Sequence, residues 1–356
     1  MPSTVLVAGG AGFVGSNLAL RLRDRYPGAR IVAADSLKRR GSEWNLPRLA
    51  AARVEFVHAD IRRPDDLAFP GLRFDLLVDC SAEPAILAAY DGGPAGVIDT
   101  NLVGTVNLLE VARRDAADVV FLSTSRVYPV AALDAIAFEE TASRFALAAA
   151  QAQPGVSAAG IGEAFPLDGA RSMYGATKLA CELLLAEYAD MYGLRYVIDR
   201  CGVIAGPWQM GKVDQGVFAL WMGRHYFKKA LAYIGYGGAG KQVRDVVSVD
   251  ELGDLVLRQI DGIAALPHHV YNVGGGPASS LSLLETTALC EEITGNRVDI
   301  ARVAENRPSD VRVYVTDNAR VSADTGWRPV KSPRETLAAI FDWIRANERL
   351  VAPLWS

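Results

Sequence analysis

Short apolar runs alternate with amphipathic stretches over the first third of the chain. Thr4-Val-Leu-Val-Ala8 is an apolar run of strand length that ends in glycine. Phe13 to Arg25 follows, with Val14, Leu18 and Leu22 at i, i+4 and i+8, the spacing of one helix face. Ile31–Ala34, Val54–Val57, Leu76–Asp79 and Val119–Leu122 repeat the strand pattern, and helical patterns separate most of them, notably Asn101 to Arg113. Strands without a polar face belong in a parallel sheet covered on both sides by helices. With right-handed crossovers this predicts a doubly wound parallel α/β sheet.

Residues 130–172 break the pattern. They are rich in Ala, Gly and Pro, and Ala146 to Gln153 is nearly all Ala and Gln. This stretch reads as an insertion between sheet elements, either a lid or a surface loop. A helix from Tyr174 to about Tyr192 and a strand from Arg195 to Arg200 resume the order. Beyond Gly206 come a Gly-rich loop (Gly235 to Gly240), the apolar run Val270–Val273, a Leu-rich helix near 281–294 and a final helix near 333–348. These late segments are expected to form a smaller α/β region at the carboxyl edge of the sheet.

Composition narrows the function classes. The 356 residues allow two domains or one large fold with an appendage. A hydrophobic share of 50% with 22% charged excludes a wholly disordered chain. A net charge of −4 argues against a broad basic field for nucleic acid. Cys80, Cys181, Cys201 and Cys290 lie far apart with no C-x-x-C, so neither a clustered metal site nor a thioredoxin-like motif is expected. No apolar run approaches the ~20 residues of a membrane span, and the N-terminus lacks a signal-peptide core. The expectation is a cytoplasmic protein in a reducing compartment, without membrane or nucleic-acid partners.

Gly9, Gly12 and Gly15 form a G-x-x-G-x-x-G motif between the first strand and the first helix, with Phe13 and Val14 inside it. Such a turn lets backbone approach a diphosphate, and the helix N-terminus supplies N–H groups and a positive dipole end. Asp35 ends the second strand, twenty residues after Gly15. A carboxylate there accepts the ribose hydroxyls of NAD and repels a 2′-phosphate. Lys38, Arg39 and Arg40 just beyond it offer the opposite choice, NADP, and Asp35 decides for NAD. Asp60-Ile61, after the third strand, is suited to the adenine edge. On this reading residues 1–202 make a Rossmann domain for NAD, with the insertion 130–172 inside it and segments near 244–275 returning to it. Residues 203–356 are mainly a substrate-binding region.

Tyr174-Gly-Ala-Thr-Lys178 places a phenol and an ammonium one helical turn apart. A phenol, with pKa about 10, needs a nearby cation to act as a base at neutral pH. Lys178 is expected to lower it. Upstream, Ser123-Thr124-Ser125-Arg126-Val127-Tyr128 follows the fifth strand, at the sheet edge where doubly wound folds bind ligands. A hydroxyl there can hydrogen-bond a substrate oxygen whose charge changes.

Taken in order, these motifs resemble the extended short-chain dehydrogenase/reductases of the nucleotide-sugar epimerase/dehydratase type, over essentially the whole chain. The resemblance implies that Thr124, Tyr174 and Lys178 are catalytic. It assigns cofactor contact to Gly9, Gly12, Phe13, Val14, Gly15, Asp35, Ser36, Lys38, Arg39, Asp60, Ile61, Ser81, Ala82, Glu83 and Asn101, together with Tyr174 and Lys178. Substrate contact is implied for Ser125 and Arg126. It is also implied for Arg244, in Gly240-Lys-Gln-Val-Arg-Asp245, and for Arg307 and Asp310, in Arg307-Pro-Ser-Asp310. Gly326-Trp-Arg-Pro329 resembles the family's C-terminal signature. Val203 stands where the common pattern has Asn.

Within the family, Gly206-Pro-Trp-Gln-Met-Gly-Lys-Val-Asp-Gln-Gly216, the insertion and Arg126 resemble the CDP-paratose (CDP-tyvelose) 2-epimerase group. The implied function is inversion of C2 in a CDP-linked dideoxyhexose by transient oxidation with bound NAD, in a homo-oligomer. A C4 or C3 epimerase and a net dehydrogenase are the alternatives. The Asp-Glu pair of 4,6-dehydratases is replaced here by Ser125-Arg126. Should Tyr174 not be the base, Glu83, Glu163 and Asp168 are the next carboxylates to consider.

Overall fold

The computed structural model describes residues 1–85, 88–211 and 215–355. Lys212, Val213 and Asp214, in the segment likened to the CDP-sugar epimerases, lie outside the described residues. In chain order the strands that position the site are β1 (Thr4–Ala8), β2 (Arg30–Asp35), β3 (Glu55–His58), β4 (Leu76–Asp79), β5 (Asp118–Thr124), β6 (Tyr196–Cys201), β7 (Val203–Ala205), β8 (Leu231–Ile234), β9 (Val243–Ser248), β10 (Val270–Val273), β11 (Ser280–Ser282), β12 (Ile300–Val303) and β13 (Val313–Tyr314). The helices used below are α1 (Phe13–Arg25), α2 (Leu46–Ala51), α3 (Gly104–Asp115), α4 (Met173–Tyr192), α5 (Val217–Tyr226), α6 (Val249–Gly262) and α7 (Pro333–Ala346).

Seven strands form one parallel sheet in the order β10-β6-β5-β4-β1-β2-β3. This is the doubly wound Rossmann arrangement that the apolar runs predict. Successive residues of each run face opposite layers. Val5, Val7, Ile31 and Ala33 pack with Leu18 and Leu22 of α1 and Leu252, Leu255 and Val256 of α6. Leu6, Ala8, Val32 and Ala34 pack with Leu108, Leu109 and Ala112 of α3 and Cys181 and Leu185 of α4. Both faces are buried, so the sequence shows no alternation.

The late segments build a second layer. There β7 pairs with β9, β9 with β11 and β13, and β8 with β12. The insertion 130–172 folds into a short helix and two hairpins. Its Leu133, Ile136, Ile161 and Phe165 share an apolar cluster with Val127, Tyr128, Val311 and Tyr314.

Two boundaries differ from the sequence pattern. The helix expected from Asn101 starts earlier, at Ala95–Ile98, and passes through a π-helical turn, Asp99–Val103, in which the buried Asn101 side chain bonds the Glu83 backbone. The last helix expected to 348 stops at Ala346, where Asn347 caps it and a further helix, Glu348–Trp355, begins. Among the described residues no helix is long and apolar enough to cross a membrane, and no His/Cys/Asp/Glu group could hold a metal ion.

Candidate active site

The carboxyl ends of β1, β4 and β5 open into a cleft of about 450 Å³, roughly the size that takes a small-molecule ligand. At its first end lies the glycine turn. Gly9 adopts φ +67°, and a Cβ there would come within 3.0 Å of the Cys80 and Ser81 backbone. A Cβ at Gly15 would collide with the Gly9 carbonyl. No side chain caps α1, whose first residues Phe13, Val14 and Gly15 line the cleft. The turn is thus a backbone cradle that side chains would fill, and it fits the diphosphate of NAD.

Asp35 closes β2, its carboxylate accepting from Leu37 N at 2.8 Å and Ala11 N at 3.2 Å. Desolvation holds its carboxyl above the usual range despite these bonds. The Ser36 carbonyl meets His58. Asp60 is paired with Arg62 at 2.5 Å, which lowers its carboxyl, and the Ile61 carbonyl accepts from Asn107. Asn101 brackets Glu83 through both backbone groups, at 2.7 and 3.1 Å, and so fixes the segment that presents Ser81 and Ala82 to the cleft. Lys38 is exposed, whereas Arg39 lies on the cleft wall, donating to the Met210 carbonyl at 2.9 Å and to Gln215. Asp35, Ser36, Lys38, Asp60, Ile61, Glu83, Asn101 and Lys178 stand off the cleft wall itself.

Thr124 ends β5 beside Cys201 of β6. Its Oγ1 accepts from Arg126 N at 3.2 Å, capping the turn, and the hydroxyl faces the Tyr174 phenol closely enough to pull it down. Tyr174 sits in the first turn of α4, whose start is capped by the Ser172 hydroxyl. Lys178 follows one turn later, 2% exposed, its Nζ 3.9 Å from the centre of the Phe121 ring. In the protein alone the Tyr174 phenol is pushed up to about 12 by desolvation, and the groups that pull it down are Thr124 and Arg126. Lys178 is not among them.

Behind this pair is a buried polar network. Glu182 accepts from Ser123 at 2.5 Å and from Arg200 at 2.7 Å, and the Tyr128 hydroxyl joins Arg200 to Asn272.

The opposite end of the cleft is cationic. Arg244 of β9 donates to Asp310 at 2.6 Å and to the Val311 carbonyl at 2.7 Å. Arg126 donates to the Ser309 carbonyl at 2.9 Å. Burial and the neighbouring Arg244 bring the Arg126 guanidinium down to about 10, so it stays charged at neutral pH. Ser125 and Arg307 share this wall, and so does Val203. Glu163, named as a reserve base, is committed to Asn272 N at 2.8 Å, and neither it nor Glu83 nor Asp168 lines the cleft. Phe218, Ile234 and Tyr314 also line it without any motif in the sequence to mark them, and so does Gln242, inside the Gly240–Asp245 segment in which the resemblance marks only Arg244.

The glycine cradle and the Thr124–Tyr174 pair can therefore hold a dinucleotide beside a hydroxyl-bearing substrate whose charged part lies at Arg126 and Arg244. A family model described as the NAD dependent epimerase/dehydratase family matches residues 5–274. The chain is 30% identical over 352 residues to a CDP-paratose 2-epimerase of Salmonella typhi, covering 95% of this chain and 98% of that protein. It is 29% identical to a dTDP-glucose 4,6-dehydratase of Mycolicibacterium smegmatis, covering 98% and 96%. Among solved structures, a UDP-glucose 4-epimerase of Thermus thermophilus in complex with NAD is similar at TM-score 0.74 and 27% identity, over 96% of this chain and 99% of that one.

Proposed function

This chain belongs to the NAD dependent epimerase/dehydratase family, and within it we propose that the protein is a nucleotide-sugar epimerase that inverts C2 of a CDP-linked dideoxyhexose of the paratose/tyvelose type. One observation carries the choice of inversion over elimination. Among the described residues of the cleft wall Asp310 is the sole carboxylate, and it is paired with Arg244. Expelling a hydroxyl needs a second acid/base group beside the phenol. Here Ser125 and Arg126 stand in that place. Tyr174 is then the single proton carrier, suited to taking a proton from one oxygen and giving it back. The CDP-sugar assignment draws support from the Salmonella relative and from the 206–216 segment; C4 or C3 inversion is the alternative.

In this reading NAD, when bound, accepts and returns the substrate hydride. Tyr174 as phenolate removes the hydroxyl proton, and Thr124 holds the same oxygen as it becomes a carbonyl. Lys178 holds the cofactor ribose and Asp35 its adenosine counterpart, with Gly9, Gly12 and Gly15 around the diphosphate. Arg244 and Arg307 bind the substrate diphosphate, and Arg126 the region between it and the phenol. Residues 1–202 serve the cofactor and 203–356 mainly the substrate.

The test is turnover of CDP-paratose and CDP-tyvelose in D₂O, followed by NMR. Interconversion without deuterium at the inverted carbon is expected. Stoichiometric NADH release would favour a net dehydrogenase, and preference for UDP- or dTDP-sugars would overturn the CDP assignment.

A further inference from the structure

The loop after β2 and the segment after β7 meet across the cleft, joined by contacts from Arg39 and Gly41 of the loop and supported by Asn17 of α1 and Arg48 of α2. Arg39 reaches Gln215 and the Met210 carbonyl with two different guanidinium nitrogens. Gly41, at φ +96°, leaves its Cβ position to Met210, whose Cγ would lie 2.7 Å from it. Asn17 Nδ2 lies 3.4 Å from the Pro207 carbonyl. The Arg48 guanidinium lies 4.1 Å from the centre of the Trp208 ring, and Trp208 is 5.6 Å from Trp343 of α7.

Trp208 itself has φ +70°, a conformation that costs a bulky residue on the order of 1–3 kcal/mol and persists where surroundings over-determine it. The strain is localised where the substrate-side segment is drawn onto the cofactor-side loop. Trp208, Met210 and Gln215 line the cleft on one side, and Arg39, Gly41 and Asn45 on the other.

We propose that Arg39 is a cofactor-retention residue. Its guanidinium, spanning Gln215 and the Met210 carbonyl, ties the substrate-side segment to the loop that follows Asp35 and so keeps NAD in the cleft between turnovers. The alternative reading, a cation set to receive the phosphate of NADP, would have to break both bonds to free the same N–H groups. Retention matters most to a redox-neutral reaction, in which a cofactor lost midway strands an oxidised sugar. The inference rests on NAD use and not on which sugar is turned over, so it is measured without substrate.

Wild type, Arg39→Ala, Arg39→Lys, Gln215→Ala and the Arg39→Ala/Gln215→Ala double variant are saturated with NAD, passed into cofactor-free buffer, and sampled over time for NAD released by denaturation. Thermal unfolding reports folding, and thermal shifts with NAD and NADP report selectivity. Loss of a charged hydrogen bond is expected to speed NAD loss about tenfold or more in each single variant. The double variant should be no faster than Arg39→Ala, because that variant already removes the bond that Gln215→Ala removes. Lysine should recover only part, since one ammonium does not span both acceptors. The preference for NAD over NADP should be unchanged. NAD loss within twofold of wild type in both single variants would overturn the assignment, and so would additive effects or a selective change in NADP affinity. A defect shared by thermal stability and by Arg39→Lys alike would mark a folding role and equally overturn it.

Discussion

Gly175 lies against the Arg126 carbonyl with no room between them for a side chain: a Cβ on Gly175 would overlap that oxygen. The contact seats the first turn of α4 on the turn after β5, and that is what brings the Tyr174 phenol to Thr124. Gly175 has ordinary helical geometry, so its requirement is space and not backbone freedom. Gly175→Ala should therefore force α4 off the turn, costing about 1–3 kcal/mol of stability as overpacking does. Activity should fall by more than stability explains, with NAD content retained. A variant of wild-type stability and turnover would mean that the two segments are not so closely fixed.

Tyr174→Phe keeps the ring and removes the proposed proton carrier. Loss of a positioned base costs about 10²–10⁴-fold in rate. NAD content should survive, because the glycine turn and Lys178 remain. Thr124→Val should cost less, since it holds the oxygen without taking its proton. Turnover of Tyr174→Phe within a few-fold of wild type would remove Tyr174 from the mechanism.

The sheet is legible in the sequence because its strands are apolar on both faces and its helices amphipathic, which is what a buried parallel sheet requires. The glycine turn and the Thr124, Tyr174 and Arg244 segments are legible because each is a local motif. The electrostatics between them are not. That Arg126, from a turn after β5, acts on the Tyr174 phenol and on Arg244 depends on how three distant segments converge. The bonds by which Asn101, in the π-helical turn Asp99–Val103, holds Glu83 escape because they join residues far apart in the chain. Leu109 of α3 is 1% exposed and buried against the sheet, which apolar helical spacing alone does not tell apart from an exposed position.

Arg126 gives a pH prediction with a definite sign. A cation near the phenol favours phenolate, so its removal raises the phenol further above its ordinary value. For Arg126→Met the rising limb of kcat against pH should move to higher pH. Arg126→Lys should restore most of the position of that limb. If Arg126 serves substrate binding alone, KM rises and the limb stays where it is.

Association should follow the exposed apolar residues left on α3, α4 and the turn before them. Leu183 and Met191 are each 65% exposed, and Val103 is 41% exposed. Val106 and Leu184, apolar residues of the same two helices, are half-buried, and Leu184 packs on the sheet. If these helices pair with those of a second copy, Leu183→Glu should shift sedimentation at micromolar concentration from dimer or tetramer to monomer. A monomeric wild type would remove the basis for it.

Asp199 of β6 provides a test of the sheet itself. It is fully buried, accepts one hydrogen bond from Gln259 at 2.7 Å, and its second oxygen has no partner among the described residues. Desolvation pushes its carboxyl up to about 7. The unfolded chain ionises it near 4, so between about pH 4 and 7 the folded state binds a proton that the unfolded state does not. Stability attributable to this group therefore falls as pH rises through that window and levels off above it. The full loss is on the order of 4 kcal/mol. Asp199→Asn resembles the protonated form and cannot ionise. Urea unfolding at about pH 4 should find the variant close to wild type, and at about pH 8 the variant should be the more stable. Other titrating groups cancel in the difference between the two proteins. An identical difference at both pH values would mean that Asp199 is already ionised in the fold at the lower one.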